Sequence, residues 1–280
     1  MDFLYEHFNN IYDFEKELKD RKVNEAFGFY LGSEAKDYCW FQTESYDDAE
    51  KLMMNGWNVK IDEIKREIEK FSLNLKRTKN KQIKSIAGFA PCVPNAIRGV
   101  PKSMYANKKI NKNIKTKVCR LVINNTNSGS TSGEDLLKSG IAFLKTVILL
   151  ESSGIKVKVD VVPKMSANRR LTKLYGCSVT IKDYNQPLNI SKIAYPLANP
   201  SFFRRHGFRY FETLDKNMKE FVGNYGRSVI HIKNESIVKK YFEYAGFNNK
   251  DNIIYMDFND CENADFNPFE LLKNKNIKIA

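Results

Sequence analysis

The chain has 280 residues, 42% apolar and 28% charged, which suits one large or two small folded domains and excludes wholesale disorder. Its 46 Lys and Arg exceed its 33 Asp and Glu for a net charge of +13, and the excess is local. From Phe71 to Gly133 there are 13 bases and no acid, so the rest of the chain is electrically neutral.

In chain order, the first twenty residues carry Asp2, Glu6, Asp13, Glu15, Glu17 and Asp20, the wrong charge for a signal peptide. Residues 27–31 and 38–42 read as strands or buried turns. Ser45 with Asp48 resembles a capping box and opens a short helix to Gly56. Ile61, Ile64, Ile68, Phe71 and Leu75 then mark one face of an amphipathic helix. The acid-free stretch begins as a charge run, and its prolines and glycines between Gly88 and Met104 predict an irregular loop. A second basic run, Tyr105 to Lys117, leads into Val118–Ile123, whose continuous apolar character predicts a buried strand.

From there strands alternate with helices. A helix is expected over 134–152, stopped by Gly154, followed by strands over 155–162 and 177–182. Helices over 190–197 and 201–212 are expected to break at Pro196 and Pro200. A strand (228–232), a helix (235–246) and a strand (253–258) complete the pattern. No segment is long and apolar enough to span a bilayer; the best, Ile141–Leu150, is interrupted by Lys145. This is an α/β pattern: a VWA-like or Rossmann-like sheet flanked by helices, with an N-terminal α+β extension. The expected division is 1–116 with the basic segment 71–116, an α/β domain at 117–260, and a tail at 261–280.

In open α/β sheets ligands bind beyond the carboxyl ends of strands, where the loop Asn124–Gly133 falls. It reads three ways. Ser130, Thr131, Ser132 and Gly133 offer hydroxyls and N–H groups for phosphate at a helix N-terminus. Asn124, Thr126 and Ser128 alternate and could converge on a metal ion. The third reading is a solvated loop with a good N-cap. Elsewhere, Arg98, Lys102, Lys108, Lys109 and Lys112 are candidates for nucleic acid or an acidic partner, or belong to a merely solvated basic surface. Arg204 and Arg205 are candidates for an anionic ligand, or bases facing helix carbonyls. The acids Asp257, Asp260 and Glu262 read as a solvated, Asn-rich loop. Five cysteines without a CxxC pair, and three separated histidines, argue against a disulfide framework or zinc site and suit a reducing cytoplasm. No catalytic set is assembled.

The order of elements from Lys117 onward resembles a von Willebrand factor A (VWA) domain, and Asn124-x-Thr126-x-Ser128 matches the spacing of that family's metal motif. The resemblance places a second metal residue near Asn234. Both family carboxylates would then be amides, which implies at most weak Mg²⁺ binding. Over the whole chain, Thr43 to Leu52 with Gly56-Trp57, Arg98 to Met104, Ser139 to Leu144, Leu150 to Gly154, and Pro187 to Phe208 resemble an uncharacterised family of tailed bacteriophages. These resemblances imply a phage-borne binding or scaffolding protein of the host cytoplasm or virion. Its partner would be a phage structural protein or an ATPase, with nucleic acid met through the basic segment and no membrane. The alternative is a nucleotide-binding protein or enzyme using the Ser/Gly loop.

Overall fold

Val118–Asn124 is apolar at nearly every position, and in the computed structural model it is the buried strand β5 of a five-stranded sheet. The structure describes residues 2–24, 31–73, 82–107, 118–126, 129–167, 173–214, 243, 246–247, 252–261, 268–269 and 272. Two compact units result: residues 1–71 with 116–280, and residues 72–115.

In the larger unit the sheet also contains β1 (Asp2–Phe8), β6 (Lys156–Ala167), β7 (Lys173–Lys182) and β8 (Asn252–Asp257), ordered β1-β7-β6-β5-β8. Strands β6 and β8 run parallel to β5, β7 is antiparallel to β6, and β1 is parallel to β7. The alternating pattern therefore folds as expected into a mixed, mostly parallel α/β sheet. Because β1 pairs with β7, the sheet draws on residues on both sides of position 116.

The helices follow their capping residues. Asn10 accepts from the Asp13 amide (2.8 Å) to start α1 (Ile11–Asp20). Asp37 accepts from the Trp40 amide (3.1 Å), so Tyr38–Phe41 is a short helix, α2, where strand or turn was expected. Ser45 starts α3 (Tyr46–Asn55) by accepting from the Asp48 amide at 3.1 Å, as the sequence implied. In α4 (Ile61–Leu73) the stripe residues Ile64 and Ile68 are buried. Ser132 caps α6 (Gly133–Ser152), the longest helix described.

Helix α7 (Ile190–Ala198) runs through Pro196 and ends two residues later. Losing one N–H near the end costs a single helical bond, which is why the expected break is absent. The chain continues through a π-turn, Phe202–His206, into α8 (Gly207–Glu212). The expected strand 228–232, and most of the expected helix 235–246, lie outside the described residues, as does residue 27–30 of the first expected strand.

The smaller unit shows why a Pro/Gly-rich stretch need not be irregular. Strands β2 (Gln82–Ser85), β3 (Ala90–Pro91) and β4 (Met104–Asn107) pair antiparallel in the order β2-β4-β3. Pro94 sits in the first turn of α5 (Val93–Ile97), where its missing N–H costs nothing. The turn closes on buried Cys92, whose amide reaches the Ser103 carbonyl at 2.6 Å.

Two contacts in the larger unit have measurable consequences. A Cβ on Gly140 of α6 would lie 2.3 Å from the Ala198 Cβ and 2.9 Å from the Leu197 carbonyl oxygen of α7, so the helices touch through that glycine. Gly140→Ala is expected to lower stability by about 2 kcal/mol despite its better helix propensity. Lys164 of β6 is buried between the rings of Phe208 (5.3 Å) and Phe211 (5.7 Å), and burial pulls its pKa down to about 8. The folded value lies below the unfolded one, so Lys164 destabilises the protein as pH falls from 10.5 toward 8, and the cost is complete below that. Lys164→Met should raise stability at pH 7 by about 2 kcal/mol and flatten the pH dependence in that window. Denaturant melts across pH 7 to 10.5 check both.

Candidate functional site

Strand β5 connects through α6 to β6 on one side, while β8 lies on its other side. The order of strands therefore reverses at β5, and an open α/β sheet splays a crevice at the carboxyl ends of such a pair. Asn124 and Asp257 are register partners at the ends of β5 and β8. The Asn124 amide donates to the Tyr255 hydroxyl at 3.0 Å, and its Oδ1 accepts from the Thr126 amide (3.2 Å) and hydroxyl (2.5 Å). Burial raises the Tyr255 pKa, so the phenol stays protonated. The Asp257 carboxylate accepts from the amides of Asn259 (3.0 Å) and Asp260 (3.3 Å), and the Asp260 carboxylate accepts from the Asp257 amide at 2.9 Å. These acids are half-buried beside Asn124 rather than in a free loop. Both strands were legible in the sequence, but their pairing was not, so Tyr255 was missed and Asp257 was read as a solvated acid rather than as the neighbour of Asn124.

The side chains at this edge already bond to one another. The one side-chain oxygen of Asn124 is taken by Thr126, and among the described residues no three His, Cys, Asp or Glu side chains converge. Ser128 and Asn234 lie outside the described residues.

The next part of the loop is held by the protein itself. Trp40 Nε1 donates to the Gly129 carbonyl (2.7 Å) and Arg204 donates to the Thr131 carbonyl (2.6 Å). The Arg204 guanidinium stacks 4.3 Å from the Trp40 ring and also donates to the Trp40 carbonyl. Burial lowers its pKa to about 10. Ser132 is committed to Asp135, donating to its carboxylate (2.7 Å) and accepting from its amide (3.1 Å). Glu134 and Asp135 occupy the first turn, where their charge competes with any incoming phosphate. A Cβ on Gly133 would fall 2.0 Å from the Gln42 amide nitrogen, so the Gln42 side chain lies against this helix start. Ser130 is exposed and Thr131 half-buried.

Arg204 and Arg205 thus sit together, but their donors meet carbonyls and a hydroxyl. Arg205 is fully buried, donating to the Thr43 hydroxyl (2.6 Å), the Thr43 carbonyl (2.8 Å) and the Ser33 carbonyl (2.8 Å). The next residue, His206, reaches Tyr46 (3.2 Å), Glu15 (3.3 Å) and Tyr195 (3.1 Å), and Tyr195 continues to Ser201 at 2.9 Å. Glu15, Tyr195, Ser201 and His206 are each at most 2% exposed, so this series braces the interior. Of the basic-segment candidates, Arg98 and Lys102 are exposed in the smaller unit, while Lys108, Lys109 and Lys112 lie outside the described residues.

A second polar constellation was not legible. Across four neighbouring strands, His7 (β1), Ser178 and Thr180 (β7), Asp160 (β6) and Arg120 (β5) form one hydrogen-bonded row. Arg120 Nε pairs with Asp160, which also accepts from Thr180 at 2.6 Å. Arg120 donates to His7 Nε2 at 3.2 Å, which requires a neutral ring with its proton on Nδ1, donated to Ser178 at 2.7 Å. Phe247 lies over the row, its ring 3.5 Å from the Arg120 guanidinium carbon and 5.2 Å from the His7 ring. The signal was Arg120 inside an apolar strand, and Asp160 as the one acid on the charged alternation Lys156, Lys158, Asp160 of the next.

Desolvation lowers the His7 pKa from 6.5 to about 4, with Asp160 opposing and Arg120 and Lys158 assisting. The folded value is below the unfolded one, so protonation favours unfolding as pH falls from 6.5 toward 4. The expected loss over that window is on the order of 2 kcal/mol. His7→Gln should flatten it, as read from denaturant midpoints at pH 4 to 7.

No curated protein and no solved structure matches the chain. The family described as "Domain of unknown function (DUF7192)" matches residues 3–265, nearly the whole length, and this chain belongs to that family.

Proposed function

We propose that this protein is a non-enzymatic binding or scaffolding component of a tailed bacteriophage, acting in the host cytoplasm or the virion. In this reading the α/β unit is VWA-like. The carboxyl edge of β5 and β8 meets a partner protein, a phage structural protein or an ATPase, without depending on a metal ion. The observation that carries the reading is the side-by-side placement of Asn124 and Asp257 at the point where strand order reverses. Supporting it, the polar groups at that edge bond to one another and shape a surface, with Tyr255, Thr126 and Asp260 around them. The smaller, basic unit supplies a second contact.

The competing reading is a nucleotide-binding protein or enzyme using Ser130 to Gly133. The two part in a melting experiment. The proposal expects no rise in melting temperature with ATP or GTP, and none with Mg²⁺ beyond an ionic-strength control. A rise that grows with nucleotide concentration refutes it. A photo-crosslinking residue at Asp260, in chains made during infection, should give one dominant protein adduct that is absent when the label sits at exposed Tyr12. Equal adducts at both positions count against the edge as the partner site.

A further inference from the structure

We infer that the smaller unit, residues 72–115, binds single-stranded nucleic acid by combining a cationic surface with exposed apolar side chains. The inference rests on the binding role proposed above and names the partner class of this unit.

The first observation is charge. Residues 72–115 contain 11 Lys and Arg and no Asp or Glu, and they fold as a compact unit of their own. Lys84, Arg98 and Lys102 are exposed on it. With no acid in the unit, no ion pair within it can neutralise them, and a polyanion gains by releasing condensed counterions on contact.

The second observation is the exposure of large apolar groups in the same place. Of the ten such side chains exposed among the described residues, five fall between positions 86 and 100: Ile86, Phe89, Val93, Ile97 and Val100. Ile97 is 81% exposed and Phe89 60%. Val93 and Ile97 lie one turn apart on α5, and Ile86 and Phe89 flank the turn that leads into β3. The Phe89 amide is anchored to the Tyr105 carbonyl at 2.9 Å, so its ring stands on a fixed backbone.

Cations with apolar and aromatic groups match a chain that alternates phosphates with base faces. A duplex offers the phosphates but hides those faces. A protein partner is the poorer match because protein interfaces are depleted in Lys, and nine of the 11 bases here are Lys.

The test uses the full chain and a fluorescein-labelled thirty-residue oligo-dT, read by anisotropy. Binding is expected at low salt and should weaken with KCl, with about 0.7 in the log–log slope for each phosphate neutralised. Phe89→Ala should weaken binding about fivefold or more, and Phe89→Trp should retain it. Lys84→Glu with Arg98→Glu and Lys102→Glu should weaken it about tenfold or more. All these positions are exposed or half-exposed on the surface, so unchanged melting curves confirm folding of the variants. Asp257→Lys, at the other unit's sheet edge, should not weaken binding, which separates this inference from the partner site proposed above. The inference is overturned by no binding at low salt, by a flat salt dependence, by equal affinity for the matching duplex, or by an unchanged Phe89→Ala. It is equally overturned if phosphatidylglycerol vesicles are bound and the oligonucleotide is not.

Discussion

A buried guanidinium must find acceptors for its N–H groups or forfeit several kcal/mol, and Arg205 finds them in the segment from Ser33 to Thr43. Much of the larger unit depends on that requirement. Fixing Ser33 and Thr43 fixes the short helix between them, and with it Trp40 and Gln42. Trp40 then holds the Gly129 carbonyl and stacks on Arg204, while Gln42 covers Gly133. The start of α6 is thereby set from the N-terminal end of the chain. The adjacent His206 adds Tyr46 and Glu15 to the same connection. The segments around Thr43 and around Phe202, far apart in sequence, meet here.

The two sides of the sheet are built on different chemistry. Tyr175, Cys177 and Val179 of β7 are buried, with Tyr175 stacked on Phe211 of α8. Ser178 and Thr180, alternating with them, join the row of His7, Asp160 and Arg120. A polar row inside a sheet is stable only when each donor and acceptor is met, and here Arg120, Asp160 and His7 satisfy one another across four strands. Such a row has one register in which it closes, so it specifies strand pairing as well as contributing to stability.

The sequence disclosed what depends on local pattern. Apolar continuity in Val118–Ile123, the Ser45 cap and the spacing of Ile64 and Ile68 each encode their own element, and the alternation of elements encodes the α/β class. It concealed what depends on pairing at long range. Nothing in Asp2–Phe8 announces a partner at Lys173, and nothing near Asp257 announces Asn124. The same limit applied to Arg204 and Arg205: their charge was visible, but the carbonyls that absorb it come from 73 to 172 residues away. In the smaller unit, Pro94 at a helix start and Pro91 in a short strand looked like breakers because proline is tolerated only at such special positions.

The pairing of β1 with β7 also sets an order of events during synthesis. The first strand of the chain cannot find its neighbour until residue 182 has been made, and at about 5–20 residues per second that is a wait of roughly ten seconds or more. Over that interval β1 is an unpaired edge, while β2, β3 and β4, all within residues 82–107, can close as soon as they emerge. The strands of the smaller unit can thus pair before the sheet of the larger unit does. Their pairing closes within 26 residues of chain, while β5 must wait for β6 and β8, which arrive about 30 and 130 residues later.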